Sequence, residues 1–168
     1  ISEALPGVVR RRLRGRHIYP TEVWHQAGDS HAASVAASYG DLLSETVKVV
    51  PFIEDMAAAY AWADVVICRA GALTVSELAI MGRPAILVPL PHAIDDHQTA
   101  NAHALADLGG AILLRQSDMT EDSLIIALRA YMEYPGRLRT MAEAARKAAT
   151  PEAAGQVADE VEALIDAA

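Results

Sequence analysis

The chain has 168 residues, enough for one compact domain with its own core. It is 52% hydrophobic with a mean hydropathy of +0.17, yet no apolar run approaches the ~18 residues that span a bilayer, and residues 1–15 lack the apolar core of a secretory signal. The net charge of −8 is uneven: residues 1–16 hold five Arg and one Glu, and the rest holds 9 basic against 21 acidic residues. An acidic body excludes general nucleic-acid binding. The basic head, Arg10, Arg11, Arg12, Arg14 and Arg16, reads either as a solvated helix face or as a contact for anionic lipid. One cysteine, Cys68, excludes an internal disulfide and a multi-cysteine zinc site.

In chain order the pattern alternates helix and strand. Residues 2–15 read as a helix and 22–26 (EVWHQ) as a strand. Residues 31–39 form an Ala-rich helix. Residues 46–52 (TVKVVPF) read as a strand whose ladder Pro51 ends. A helix over 54–62 opens with acidic residues in its first turn. Residues 64–68 (DVVIC) form a strand, and a helix over 74–81 stops at Gly82. Residues 84–89 (PAILVP) are a buried strand, 95–108 a helix ending at Gly109–Gly110, and 111–114 a strand. A helix over 120–133 opens on Thr120 as N-cap. Two terminal helices, 135–149 and 151–167, each carry Pro near the first position.

Five short apolar strands separated by helices predict βαβ units. Right-handed crossovers make these a Rossmann-like, doubly wound parallel sheet, in which ligands bind beyond the carboxyl ends of the strands. The loops 26–30, 52–55, 68–74, 89–97 and 115–119 are therefore the informative ones. The chain opens inside a helix with no strand before it, so the first strand of such a domain is expected to be missing.

The strongest signal is 68–77, CRAGALTVSE, a strand end passing through small residues into a helix. Gly71 allows close backbone approach, and the helix start offers N–H groups to an anion such as a diphosphate. Glu77, one turn in, suits a ribose diol, and Thr74 suits a phosphate oxygen. The same T-x-x-E spacing also describes a capping box with Thr74 as N-cap, and spacing alone does not separate the two. In 89–101 (PLPHAIDDHQTAN), Asp, His, Gln and Asn suit sugar hydroxyls. His92, Asp95, Asp96 and His97 also admit a metal site, against which stands a plain N-terminal capping segment. In 51–56 (PFIEDM) an apolar pair can sandwich a base or pack into the core. In 24–28 (WHQAG) His25 reads as an acid–base group or as a strand residue with a satisfied hydrogen bond.

VWHQAG (23–28), FIEDMAAAYAWADVVICRAGALTVSELA (52–79), GRPAILVP (82–89) and DDHQTANA (95–102) together resemble the C-terminal domain of the MurG family of GT-B glycosyltransferases. The resemblance covers nearly the whole chain. It implies that residues 1–168 are a single donor-binding domain with C-terminal helices over 135–168, and that the family's N-terminal acceptor domain is absent. It implies an inverting, metal-independent transfer of N-acetylglucosamine from UDP-GlcNAc to lipid I, at the cytoplasmic face of the plasma membrane in peptidoglycan synthesis, with no cofactor. Carried onto this sequence, Glu77 meets the ribose hydroxyls. Gly71, Ala72, Leu73 and Thr74 meet the diphosphate. Ile53 meets the uracil with Phe52 and Met56 close by, and His97 and Gln98 meet the sugar. The family places its catalytic base, acceptor site and membrane-docking patch in the N-terminal domain, so no catalytic residue is expected in this chain. The resemblance assigns Arg69 no role. Two other readings are a different UDP-sugar GT-B transferase and a stand-alone nucleotide-binding module.

Overall fold

The computed structural model describes residues 1–14, 21–44, 46–91, 96–132, 134 and 136–152. The elements run α1 (Leu5–Arg14), β1 (Val23–Gln26), α2 (Ala32–Tyr39), β2 (Val47–Val50), α3 (Met56–Trp62), β3 (Val66–Cys68), α4 (Ala72–Met81), β4 (Ala85–Leu87), α5 (His97–Ala106), β5 (Ala111–Leu113), α6 (Glu121–Met132) and α7 (Arg137–Lys147). All five expected strands are present. Residues 153–167 of the last expected helix lie outside the described residues.

β4 is the centre of a three-stranded parallel sheet, with Ile67, Ile86 and Ile112 in register across β3, β4 and β5. Its residues are buried on both faces, as a covered parallel sheet requires. Ala85 and Leu87 pack with Leu78, Leu105 and Ala145 of α4, α5 and α7. Ile86 and Val88 point the other way, toward Val8, Leu124 and Tyr131 of α1 and α6. This period-2 alternation places helices on both faces. The buried Tyr131 phenol donates to the Ala85 carbonyl at 2.6 Å, so its polar tip is satisfied.

β1 and β2 form a separate parallel pair, Val23 opposite Val47 through Gln26 opposite Val50. They rest on a third cluster made by Val9, Val35, Tyr39 and Val47. The parallel strands predicted from the sequence therefore fall into two parallel sheets among the described residues. One edge of β1 and one edge of β3 take no strand partner, and both border a cavity of about 1050 Å³.

Helix boundaries follow the capping chemistry. Gly82 takes the left-handed conformation (φ 58°, ψ 48°) that closes α4, its N–H bonding the Ala79 carbonyl and that of Arg83 the Leu78 carbonyl. Thr120 caps α6: its Oγ1 accepts from the Ser123 N–H at 3.1 Å, while Ser123 Oγ accepts from the Thr120 N–H at 2.8 Å. α3 starts at Met56 rather than at 54, because Asp55 is its N-cap and accepts from the Ala58 N–H at 2.8 Å. Its acidic residues thus precede the first turn. α7 starts at Arg137 with Gly136 before it.

Candidate functional site

α4 begins at Ala72, two residues earlier than its sequence suggests, with Gly71 as N-cap (φ −65°, ψ 146°). Thr74 is therefore the third helical residue, and the capping-box reading is corrected. Gly71 supplies no side chain, and the first helical bond runs from the Val75 N–H to the Gly71 carbonyl at 2.9 Å. The N–H groups of Ala72, Leu73 and Thr74 thus have no intrahelical acceptor and lie at the positive end of the helix dipole. Leu73 is 81% exposed. A Cβ on Gly71 would meet nothing closer than Thr74 Oγ1 at 3.8 Å. The fold itself therefore leaves open space beside the loop at Gly71. Glu77, exposed one turn further on, accepts from the phenol of Tyr60 at 2.9 Å.

The loop before α3 is tied to β1. The Ile53 N–H donates to Gln26 Oε1 at 2.9 Å. Ile53 is buried and Phe52 is 65% exposed, so core packing describes the first and not the second. Ile53, Met56 and Thr74 line the cavity between the sheets together with Gln26, Tyr60 and Arg69. Phe52, Gly71, Ala72, Leu73, Glu77, His97 and Gln98 lie outside that lining. Gln26 and Tyr60 are absent from the sequence-derived site. Each acts across 17 to 27 positions of chain, and although both sit in quoted segments, nothing local to either marks it as part of the site.

At the end of β4, Gln98 Oε1 accepts from the Leu90 N–H at 2.9 Å, which pins the loop and leaves the amide NH₂ as the free donor type for a ligand. His97, the first residue of α5, is exposed. Asp96, before it, has a left-handed backbone (φ 52°). Asn101 does not face outward as a sugar ligand. Its Nδ2 donates to the Ala70 carbonyl at 3.1 Å, bracing the loop before α4. Arg69 gains a definite role: its guanidinium donates to the Val88 and Pro89 carbonyls, both at 3.2 Å, joining the ends of β3 and β4. Of the metal alternative, His92 and Asp95 lie outside the described residues.

His25 is buried. Its two ring nitrogens lie 3.1 Å from Ser2 Oγ and 3.0 Å from Tyr39 Oη. It is the satisfied strand residue, not an exposed acid–base group. Burial pushes its imidazole below the ordinary value of 6.5. The unfolded chain then binds the extra proton, so His25 contributes stability above 6.5 that is lost as pH falls toward the lower folded value. Thermal melts taken downward from about neutral pH should show a declining Tm, with a shallower decline in His25→Gln. Equal slopes would show that His25 does not titrate between the two states.

The arrangement is a helix N-terminus, a carboxylate one turn in and a braced apolar loop, gathered beyond the carboxyl ends of β2, β3 and β4. The sequence pattern of the glycosyltransferase family 28 C-terminal domain matches residues 3–157. The chain belongs to this family. It is 47% identical over 160 residues, 95% of its length, to the UDP-N-acetylglucosamine--N-acetylmuramyl-(pentapeptide) pyrophosphoryl-undecaprenol N-acetylglucosamine transferase of Shewanella frigidimarina. It covers 43% of that protein. Proteins of the same name from Methylococcus capsulatus and Azotobacter vinelandii are 50% and 55% identical over 94% and 82% of the chain, which covers 44% and 38% of them. The structure superposes on Acinetobacter baumannii MurG with a TM-score of 0.84 and 43% identity over 96% of this chain and 45% of that one. The spinosyn forosaminyltransferase SpnP, 20% identical with a TM-score of 0.64, shares the fold. This family 28 domain therefore spans less than half the length of the relatives it matches, and it shares the α/β architecture of a GT-B C-terminal half.

Proposed function

We propose that this family 28 domain binds UDP-GlcNAc for an inverting transferase that converts lipid I to lipid II at the cytoplasmic face of the plasma membrane, with the acceptor bound by an N-terminal domain outside this chain. The observation that carries the reading is the start of α4. A side-chain-free N-cap presents three N–H groups, and a carboxylate stands one turn away, so one surface offers the complement of a diphosphate and of a ribose diol. The shared enzyme name of relatives at 47–55% identity supports this donor and acceptor.

In this reading the N–H groups of Ala72, Leu73 and Thr74 stabilise charge that develops on UDP as the acceptor hydroxyl attacks the anomeric carbon. Glu77 holds the ribose, and Ile53, with Phe52 and Met56 nearby, takes the uracil. Gln98 and His97 face the sugar. Of the basic head, Arg10 pairs with Asp41 and Arg11 with Asp122. Those two side chains favour the solvated-face reading over lipid contact. The side chains of Arg12, Arg14 and Arg16 lie outside the described residues.

Isothermal titration of the whole enzyme with UDP-GlcNAc, UDP-glucose and GDP-mannose tests the donor. Preference for UDP-GlcNAc is expected, and preference for another nucleotide sugar would reassign the domain. With the diphosphate met by backbone donors, activity should persist in EDTA, since Asp95–Asp96 lacks the middle residue of a DxD pair. Loss of turnover in chelator, restored by magnesium or manganese, would contradict this.

A further inference from the structure

Glu77 is exposed on α4, and among the described residues no Lys, Arg or His pairs with it. A glutamate in that setting samples many rotamers, and ordering it on a ligand costs binding free energy. Here its Oε2 already accepts from Tyr60 Oη at 2.9 Å. Tyr60 is itself fixed: it is 5% exposed and belongs to the hydrophobic cluster that holds Ala70, Val75, Leu78 and Leu87. It rises from α3, whose N-cap Asp55 follows the Ile53 loop, and that loop is held by Gln26. A carboxylate has about four lone-pair sites, so one bond from Tyr60 leaves Oε1 and part of Oε2 for two hydroxyls.

We propose that Tyr60 is a positioning residue for donor binding: anchored in the core, its phenol pre-sets the Glu77 carboxylate to receive the ribose diol. The proposal rests on the assignment of Glu77 to the ribose. It also fixes the spacing between the uracil loop and the ribose carboxylate, because α3 carries both the loop's exit and Tyr60. The bond is part of the free protein, so a ligand meets a carboxylate whose orientation is already selected.

The test is Tyr60→Phe in the whole enzyme, which keeps the ring and removes only the hydroxyl at its Glu77 end. UDP and 2′-deoxy-UDP are titrated into wild type, Tyr60→Phe, Glu77→Ala and the double variant, with melting temperatures alongside. Tyr60→Phe should weaken UDP about threefold to tenfold, the weight of one rotamer-rich side chain left unordered. It should weaken 2′-deoxy-UDP less, so that discrimination between the two shrinks. In the Glu77→Ala background it should have no further effect, the signature of two residues acting as one. A Tyr60→Phe protein that keeps full discrimination, whether or not its Tm falls, overturns the proposal and leaves Glu77 in place. A wild type that binds both nucleotides equally overturns the ribose assignment and the proposal with it.

Discussion

Glu77→Ala should weaken UDP binding at least about tenfold while the domain remains folded. Hydrogen bonds to a charged group contribute roughly 1.5–3 kcal/mol each, and removing the carboxylate leaves the ribose hydroxyls without their acceptor. The helix does not depend on Glu77 for its cap, because Gly71 occupies that position and takes no side-chain bond. The residue is exposed, so no cavity is opened in the core. Affinity and stability therefore separate in this variant. Titration with UDP alongside a thermal melt makes the comparison. Unchanged affinity in a folded protein would remove Glu77 from the site, and a large fall in Tm with intact affinity would give it a structural role.

These 168 residues, assayed alone with UDP-GlcNAc and a soluble lipid I analogue, should release no UDP in an acceptor-dependent manner. Holding an acceptor hydroxyl and its base against the anomeric carbon contributes roughly 7–11 kcal/mol of a barrier. None of the site residues proposed here is placed to do that. The one buried histidine among the described residues, His25, is engaged by Ser2 and Tyr39, and burial lowers its affinity for a proton. Turnover near the rate of the whole enzyme would place the catalytic groups in this half.

The strands were legible because VKVV, DVVIC and PAILVP are β-branched, apolar runs bounded by Gly, Pro or acidic residues. The helix after β3 was legible but its first turn was not. Ala72 and Leu73 carry no boundary signal, whereas Thr74 mimics an N-cap, so local chemistry points two residues too far on. T-x-x-E is degenerate for a related reason. That Glu77 completes no cap follows from Gly71 as N-cap, and its partner Tyr60 is 17 residues away and brought near by packing. Asn101 shows the same limit from the other side. Its composition suits a sugar, but the fold turns it onto the Ala70 carbonyl. The order of the strands and their division into two sheets cannot be read from local periodicity, which fixes which residues are strands and not which strands are neighbours.

That division makes α1 more than a packing helix. Val8 enters the core beneath β4 and Val9 enters the core beneath β2, so adjacent residues of one helix are shared between hydrophobic clusters whose sheets exchange no strand hydrogen bonds. Among the described residues the two sheets are therefore joined by side-chain contact, part of it through α1. Gln26 at the tip of β1 belongs to the β1–β2 side, while Tyr60, Glu77 and the α4 start belong to the side built on β4. A nucleotide that contacts the Ile53 loop and the α4 start at once would bridge the two sheets, and its binding would couple them.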